Sequence, residues 1–183
     1  MPLIARANPA DKQRQDVTAY REYVSRAADS NELILNRSSL HASVIVECIF
    51  VSSHKDVSIL TGELNPEVYG REDVIKVVLE FLSRASDAQI AILAEKPLAP
   101  DHPLIAALRT SNMLSRLDLR YVTPDLQKTY EYHFAVGDGS HFRFEASRES
   151  FEAVVHFGNQ EAGERLKSEF SRLQSQLSPF NLK

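Results

Sequence analysis

Polar side chains that could do chemistry alternate with aromatic and aliphatic ones between residues 130 and 145. An Asp138-Gly139 pair in the middle of this stretch predicts a β-hairpin, and side chains on its strands alternate between two faces. The two strands therefore bring one set of polar side chains onto a single surface. The members of this set are Glu131, His133, His141, Arg143 and Glu145.

Such a set predicts a phosphate or carboxylate site. Arginine binds either group through two parallel hydrogen bonds, which is the expected role of Arg143, and histidine is an acid or base near neutral pH. The alternative interpretation is the solvated polar face of a half-buried hairpin, because any such hairpin alternates polar with aromatic residues.

Other candidate residues stand at the ends of predicted strands. Glu63 and Glu95 each follow a candidate parallel strand, and ligands bind at that edge of an open sheet. Either could join His133 in a metal site with oxygen and nitrogen ligands, although carboxylates are common in loops of any kind. His156 could reach the same edge. Asn159 is a second ligand-binding candidate, with capping of the last helix as its alternative role.

Several kinds of site are missing from the sequence. It contains no glycine-rich phosphate loop, no G-x-G-x-x-G, no G-x-S-x-G and no zinc-protease histidine pair, so neither a cofactor nor a dedicated metal site is predicted. The single cysteine, Cys48, excludes an internal disulfide and is expected to be a buried structural thiol. We expect surface or hydrogen-bonded roles for His41 and His54, which flank its helix.

Hydrophobic periodicity, together with capping and turn residues, predicts the strands and helices that must position these residues. Residues 44–51 would also suit a buried strand, but a better strand follows at once, which favours a helix. The alternation predicts an α/β fold, a mixed β-sheet flanked by helices on both faces. The predicted helices cover residues 11–29, 39–50, 71–83 and 160–176, with a further one starting at Pro103. The predicted strands cover residues 32–36, 57–60, 89–94, 117–122, 130–136, 141–145 and 151–157.

The 183 residues predict one principal domain. An N-terminal tail and helix occupy residues 1–30, with residues 1–10 frayed; an α/β domain spans residues 31–178 and a short tail residues 179–183. The N-terminal helix packs on its own domain or, alternatively, docks on a partner subunit. No apolar run approaches the roughly 18 residues of a membrane span, and no secretory signal is visible, so a cytoplasmic location is expected.

The order of these elements resembles a phospholipase D superfamily domain over residues 33–177. Asp138-Gly139 matches the end of that family's H-x-K-x-x-x-x-D motif. The other matching features are the opening helix and strand (residues 39–62), the apolar residues 134–136, Ser147 near a small polar patch, and the closing strand and helix (residues 151–155, with Phe170 and Leu173).

The motif itself departs from the family. Counting back from Asp138, Glu131 stands at the position of the nucleophilic histidine and His133 at the position of the lysine. Moving the register so that His133 is the nucleophile puts Ala135 at the lysine position. In the family, the histidine forms a covalent phospho-intermediate and the lysine stabilises the phosphoryl charge. The resemblance therefore implies a non-catalytic binding or regulatory module that engages a protein partner or a phosphate-containing ligand.

The resemblance also implies a homodimer, because members with a single motif pair two copies so that their half-sites meet. The alternative function is a nuclease or phosphodiesterase with a rearranged site of His133, His141, Arg143 and Glu145. A net charge of −4 disfavours indiscriminate nucleic-acid binding. That conclusion would change if the basic residues of one third of the chain converged in a groove. These residues are Arg109, Arg116, Arg120, Lys128 and Arg143.

Overall fold

A computed structural model describes residues 9–182, with side chains described from residue 15. The helices are α1 (Pro9–Asp29), α2 (Ser39–Ser52), α3 (Pro66–Tyr69), α4 (Glu72–Arg84), α5 (Pro103–Thr110), α6 (Pro124–Gln127) and α7 (Gln160–Gln174). The strands are β1 (Ile34–Asn36), β2 (Asp56–Thr61), β3 (Gln89–Ala94), β4 (Leu117–Tyr121), β5 (His133–Gly137), β6 (His141–Glu145) and β7 (Ala153–His156).

These strands form one seven-stranded sheet in the order β1-β7-β6-β5-β2-β3-β4. Strands β2, β3 and β4 are parallel, whereas the remaining neighbours pair antiparallel. One hydrophobic core lies between the sheet and α1, α2, α4 and α5, and a second lies beneath α6 and α7. The predicted α/β fold, a mixed sheet with helices on both faces, is confirmed.

Helix α2 forms despite its many β-branched residues because it is buried along most of its length. The Ser38 hydroxyl caps it by accepting a hydrogen bond from the His41 backbone N–H, at 3.2 Å. A helix that is apolar around its circumference needs cover on several sides, and α1, α4 and the sheet provide it. The helical interpretation of residues 44–51 is therefore confirmed.

Helix α1 packs against α2 of its own chain. Val24 and Ala27 enter the core, and the Arg21 guanidinium donates to both carboxylate oxygens of Glu47, at 2.7 and 2.8 Å. The structure therefore agrees with the interpretation in which this helix packs on its own domain. The helix begins at Pro9, within the stretch predicted to be frayed, and residues 1–8 of that stretch lie outside the described residues.

None of the helices within residues 9–182 combines the length and the apolar character needed to cross a membrane.

Candidate functional site

A cleft of about 180 Å³ opens at one edge of the sheet. It lies where the parallel strands β2 and β3 end, and it extends to the start of β5 and the end of β6. Those two ends meet there because β5 runs antiparallel to β2 and β6 antiparallel to β5. The residues that line the cleft include Gly62, Tyr69, His133, Arg143, Glu145 and Arg148.

Strand register brings three of the sequence candidates together. His133 is paired with Glu145 across the hairpin, and the next pair on the same face joins Ala135 with Arg143. The face that they share is covered by helices and is not solvated, since His133 is 8% exposed and Arg143 only 4%. The interpretation as a solvated hairpin face is therefore wrong for these residues, because α2 packs against this side of β5 and β6.

Both ring nitrogens of His133 face carboxylates. Nε2 lies 3.3 Å from Glu95 Oε1, and Nδ1 lies 3.7 Å from Glu145 Oε2, although the Nε2 contact lacks hydrogen-bond alignment. The Nδ1 distance is too long for a hydrogen bond. Both ring nitrogens therefore lie beside carboxylates without an aligned hydrogen bond to either one.

The two arginines of the site are also engaged within the protein. Arg143 pairs with Glu145 and donates a 3.1 Å hydrogen bond to the Phe151 carbonyl. The Nε atom of Arg148 lies 3.2 Å from Glu95 Oε1, and its guanidinium donates to the carbonyls of Gln127 and Tyr130. Each of the two cations is therefore balanced by a carboxylate, which leaves no free positive charge from these two side chains.

Glu95 lies beside both His133 and Arg148 and so joins the charged side chains of the site into one network. Its second carboxylate oxygen accepts a 2.8 Å hydrogen bond from the Gln127 side-chain amide. Burial by itself raises the pKa of Glu95, but His133 and Arg148 outweigh it and hold the pKa below its ordinary value. The Glu95 carboxylate is therefore ionised at neutral pH and contributes one negative charge to the network.

Sequence reasoning considered Glu95 as a strand-end carboxylate but missed Arg148 and Gln127. Neither residue carries a local signal, because Arg148 follows a strand by a few positions and Gln127 ends a one-turn helix. Glu63 is placed at the rim of the cleft, exposed and 3.5 Å from Lys96 Nζ. Among the described residues, no group of three His, Cys, Asp or Glu side chains is arranged to hold a metal ion.

Two members of the predicted polar set lie apart from the cleft. Strand β5 begins only at His133, so Glu131 precedes it and is exposed; the prediction that both share a strand face is wrong. His141 shares the face of Arg143 but is paired with Gly137 at the far end of the hairpin. There its Nδ1 accepts a 3.3 Å hydrogen bond from the Gly158 N–H.

Asp138 and Asn159 also lie at that far end. The Asp138 carboxylate accepts three backbone hydrogen bonds, from the N–H groups of His54 (2.6 Å), Lys55 (2.9 Å) and Asp56 (3.0 Å). The side chain of Asn159 caps α7 by accepting from the Ala162 N–H at 3.0 Å. Both side chains therefore accept hydrogen bonds from backbone N–H groups, and neither lines the cleft.

The remaining candidates have ordinary surroundings. Burial raises the pKa of the Cys48 thiol to about 12, so the thiol is protonated at neutral pH. His41 stacks on Tyr20 with ring centroids 3.8 Å apart, and His54 is exposed near Asp138. The side chain of His156 hydrogen-bonds to the Phe157 carbonyl.

Three of the basic residues that could have formed a groove, Arg116, Arg120 and Arg143, do not converge. Arg116 donates to the carbonyls of Ala85 and Ala88, and Arg120 to those of Gln174 and Leu177. Both precede or belong to β4, whereas Arg143 belongs to β6, with β5, β2 and β3 between them. These side chains are therefore separated across the sheet.

Solved structures of similar fold include Nuc, a phospholipase D family member from Salmonella typhimurium (TM-score 0.58, 14% identity, 82% of this chain and 98% of that chain). NucT from Helicobacter pylori is similar at a TM-score of 0.57 and 14% identity, covering 81% of this chain and 99% of that one. These identities show the fold alone, which is phospholipase D-like.

TrmBL2, described as an archaeal chromatin protein with a novel mode of DNA binding, gives a TM-score of 0.56 at 12% identity. The match covers 93% of this chain but only 64% of TrmBL2, so the chain spans less than two thirds of that protein. A search of curated protein sequences gives no significant match. The model of a family described as a domain of unknown function, DUF7931, matches residues 39–177. That match spans α2 to the end of α7 and includes the whole cleft, so the chain belongs to the DUF7931 family.

Proposed function

We propose that this protein is a non-catalytic phospholipase D-like binding module, and that the cleft is its ligand site. The observation that carries the proposal is the position of His133 between Glu95 and Glu145. Covalent phosphoryl chemistry needs a nucleophile with a free lone pair aimed at the phosphorus atom. Within the cleft, both nitrogens of the histidine that could supply one lie within 4 Å of carboxylate oxygens, whose negative charges repel a phosphodiester.

Charge balance supports the same proposal. Transfer of a phosphoryl group needs cations that face the developing negative charge. Here Arg143 and Arg148 are paired with Glu145 and Glu95, and Lys96 lies 3.5 Å from Glu63. A bound phosphate would have to replace one of these carboxylates, which favours selective binding over turnover.

Catalysis is tested with bis(p-nitrophenyl) phosphate, with and without Mg²⁺, Mn²⁺ or Zn²⁺. We expect no release of p-nitrophenol above that of buffer, from the wild-type protein or from His133→Asn. The alternative function is a phosphodiesterase with a rearranged His133, His141, Arg143 and Glu145 site, of which His141 lies at the far end of the hairpin. It predicts turnover that is lost in His133→Asn and in Glu145→Ala. Turnover with that dependence would establish the enzyme and exclude the binding module.

Ligand binding is tested by calorimetric titration with inorganic phosphate. We expect binding that is at least about tenfold weaker in Arg148→Gln, because the guanidinium that would exchange its contact with Glu95 for one with phosphate is lost. The matched control is Arg165→Gln, which removes an exposed arginine of α7 paired only with Glu161, and it should bind as the wild type does. If the wild-type protein binds no phosphate, the ligand is not a phosphate compound and a protein partner is the remaining expectation.

A further inference from the structure

Three buried polar atoms meet beside the cleft without aligned hydrogen bonds. Within the part of the chain that the structure describes, Glu95 Oε1, His133 Nε2 and Arg148 Nε each lack such a partner. Nε2 of the histidine lies 3.3 Å from Oε1, and Nε of the arginine lies 3.2 Å from the same oxygen. Buried polar atoms without partners are rare and call for a physical explanation. Here, one carboxylate oxygen faces two side chains at nearly equal distances, and either can be its counter-ion.

The charges of the protein's own side chains balance at this site. The guanidinium groups of Arg143 and Arg148 face the carboxylates of Glu145 and Glu95. An oxyanion that enters the cleft adds a negative charge to a region in which the Glu95 side chain is 4% exposed and that of Glu145 15% exposed. An uncompensated charge in such surroundings is costly, because water does not screen it. Binding of an anion therefore needs one additional positive charge.

The buried groups around His133 leave this ring as the one that gains the charge near neutral pH. The arginines are already protonated, and the lowered pKa of Glu95 keeps that carboxylate ionised. Near Arg143, burial raises the pKa of Tyr20 on α1 and of Tyr69 on α3 to about 12. Burial also raises the pKa of Tyr130, which precedes β5, so all three hydroxyls stay neutral. Histidine is the side chain that ordinarily changes its charge near neutral pH.

The other neighbouring elements do not supply the charge. At the end of β2, Gly62 lies beside the ring and carries no side chain. Helix α2 uses His41 and Glu47 in contacts with α1, where they meet Tyr20 and Arg21. The rim of the cleft carries Glu63, Lys96 and Glu149. Lys96 is 3.5 Å from Glu63, and both side chains are more than half exposed, so water screens their charges.

We propose that the cleft binds a phosphate-type oxyanion together with one proton, which His133 takes up from the solvent. This inference rests on the proposed function of the cleft as a phosphate site. The anion draws the Arg148 guanidinium away from Glu95, and the protonated ring replaces it as the counter-ion of Oε1. The Gln127 side-chain amide keeps its 2.8 Å hydrogen bond to the other oxygen of Glu95. With the anion and the proton both bound, the buried charges balance again.

The proton and the anion therefore strengthen each other's binding. Thermodynamic linkage makes this coupling reciprocal, so the proton raises the affinity for the anion by the same factor as the anion raises the affinity for the proton. As the pH rises, fewer protons are available to the ring, and the anion binds more weakly. We expect the affinity of the wild-type protein to fall at least about tenfold between about pH 6 and about pH 8.

Calorimetric titration of the full chain with dimethyl phosphate tests the proposal. This diester carries one negative charge throughout the neutral range and takes up no proton itself, unlike inorganic phosphate. Binding heats measured in two buffers of different ionisation enthalpy give the number of protons taken up. At about pH 8, we expect about one half to one proton for the wild type and for the control His54→Asn, whose side chain is 79% exposed at the far end of the hairpin. His133→Asn should take up none, and its affinity should not change with pH.

The ring itself gives a second readout that needs no substitution. The NMR chemical shift of the His133 Cε1–H group should move towards that of a protonated ring when dimethyl phosphate is added. Proton uptake that persists in His133→Asn would place the proton on a carboxylate such as Glu145 and would overturn the proposal. Binding without proton uptake by the wild type would overturn it too, but would leave the cleft as a phosphate site. If neither dimethyl phosphate nor inorganic phosphate binds at any pH, the proposed phosphate site is itself wrong.

Discussion

Arg143→Met lowers the free energy of unfolding by about 3–5 kcal/mol, the cost typical of removing one partner of a buried ion pair. The Arg143 side chain is 5% exposed and that of its partner, Glu145, is 15% exposed. Without the guanidinium, Glu145 is left as a largely buried carboxylate that lacks its arginine partner. Denaturation by urea, followed by circular dichroism, measures the loss.

The double variant Arg143→Met/Glu145→Leu serves as the internal control. Replacing both members of a buried pair by apolar residues removes the unpaired charge, so most of the lost stability should return. Arg165→Met, on the exposed face of α7, should change little because exposed ion pairs contribute little to stability. Equal losses in the single and double variants would contradict this account of the site.

Asp138→Asn lowers the free energy of unfolding by about 2–4 kcal/mol. One carboxylate accepts hydrogen bonds from the N–H groups of His54, Lys55 and Asp56, and hydrogen bonds to a charged group contribute about 1.5–3 kcal/mol each before solvent screening. An asparagine keeps the shape but loses the charge and one acceptor oxygen. The loop between α2 and β2 is then held less tightly against the hairpin turn, where the backbone hydrogen bond from Asp138 to Asp56 remains. Thermal and urea denaturation measure the effect, with the exposed Asp125→Asn as the matched control.

Acid should produce the same loss in the wild-type protein. Burial raises the pKa of Asp138, but the three backbone N–H donors outweigh it and hold the pKa below its ordinary value. The contribution to stability is therefore complete above the unfolded-state pKa of about 3.9 and declines as the pH falls through the lower folded-state pKa. The stability of Asp138→Asn should depend less on pH in that acidic range. Parallel acid profiles for the two proteins would show that Asp138 does not carry this contribution.

Local sequence patterns were sufficient to predict most of the strands and helices. The periods of strands and helices depend on residues near each other in the chain, and the caps and turns at Ser38, Asp138-Gly139 and Asn159 are equally local. For the same reason, the shared strand face of Arg143 and Glu145 was predictable before the sheet was known. The start of β5 was not, because nothing near Glu131 marks the end of pairing; that end depends on the partner strands β2 and β6.

The network of charged side chains at the cleft could not be predicted from the sequence. Glu95 and Arg148 join His133 from distant parts of the chain, and their contacts exist only because β3, β5 and the segment after β6 end at one edge of the sheet. Burial likewise depends on which helix covers which face. The same alternating hairpin would be a solvated surface if α2 did not pack against it.

The sequence by itself thus determined the element types, the hairpin and the residues that share its faces, since these depend on local backbone periodicity. Only the tertiary structure decided which polar residues meet. It separated His141 and Asp138 from His133 by the length of a strand and enclosed His133 between two carboxylates. The physical reason is that an ion pair in a protein interior needs both closeness and exclusion of water, and the packing of the whole sheet supplies both.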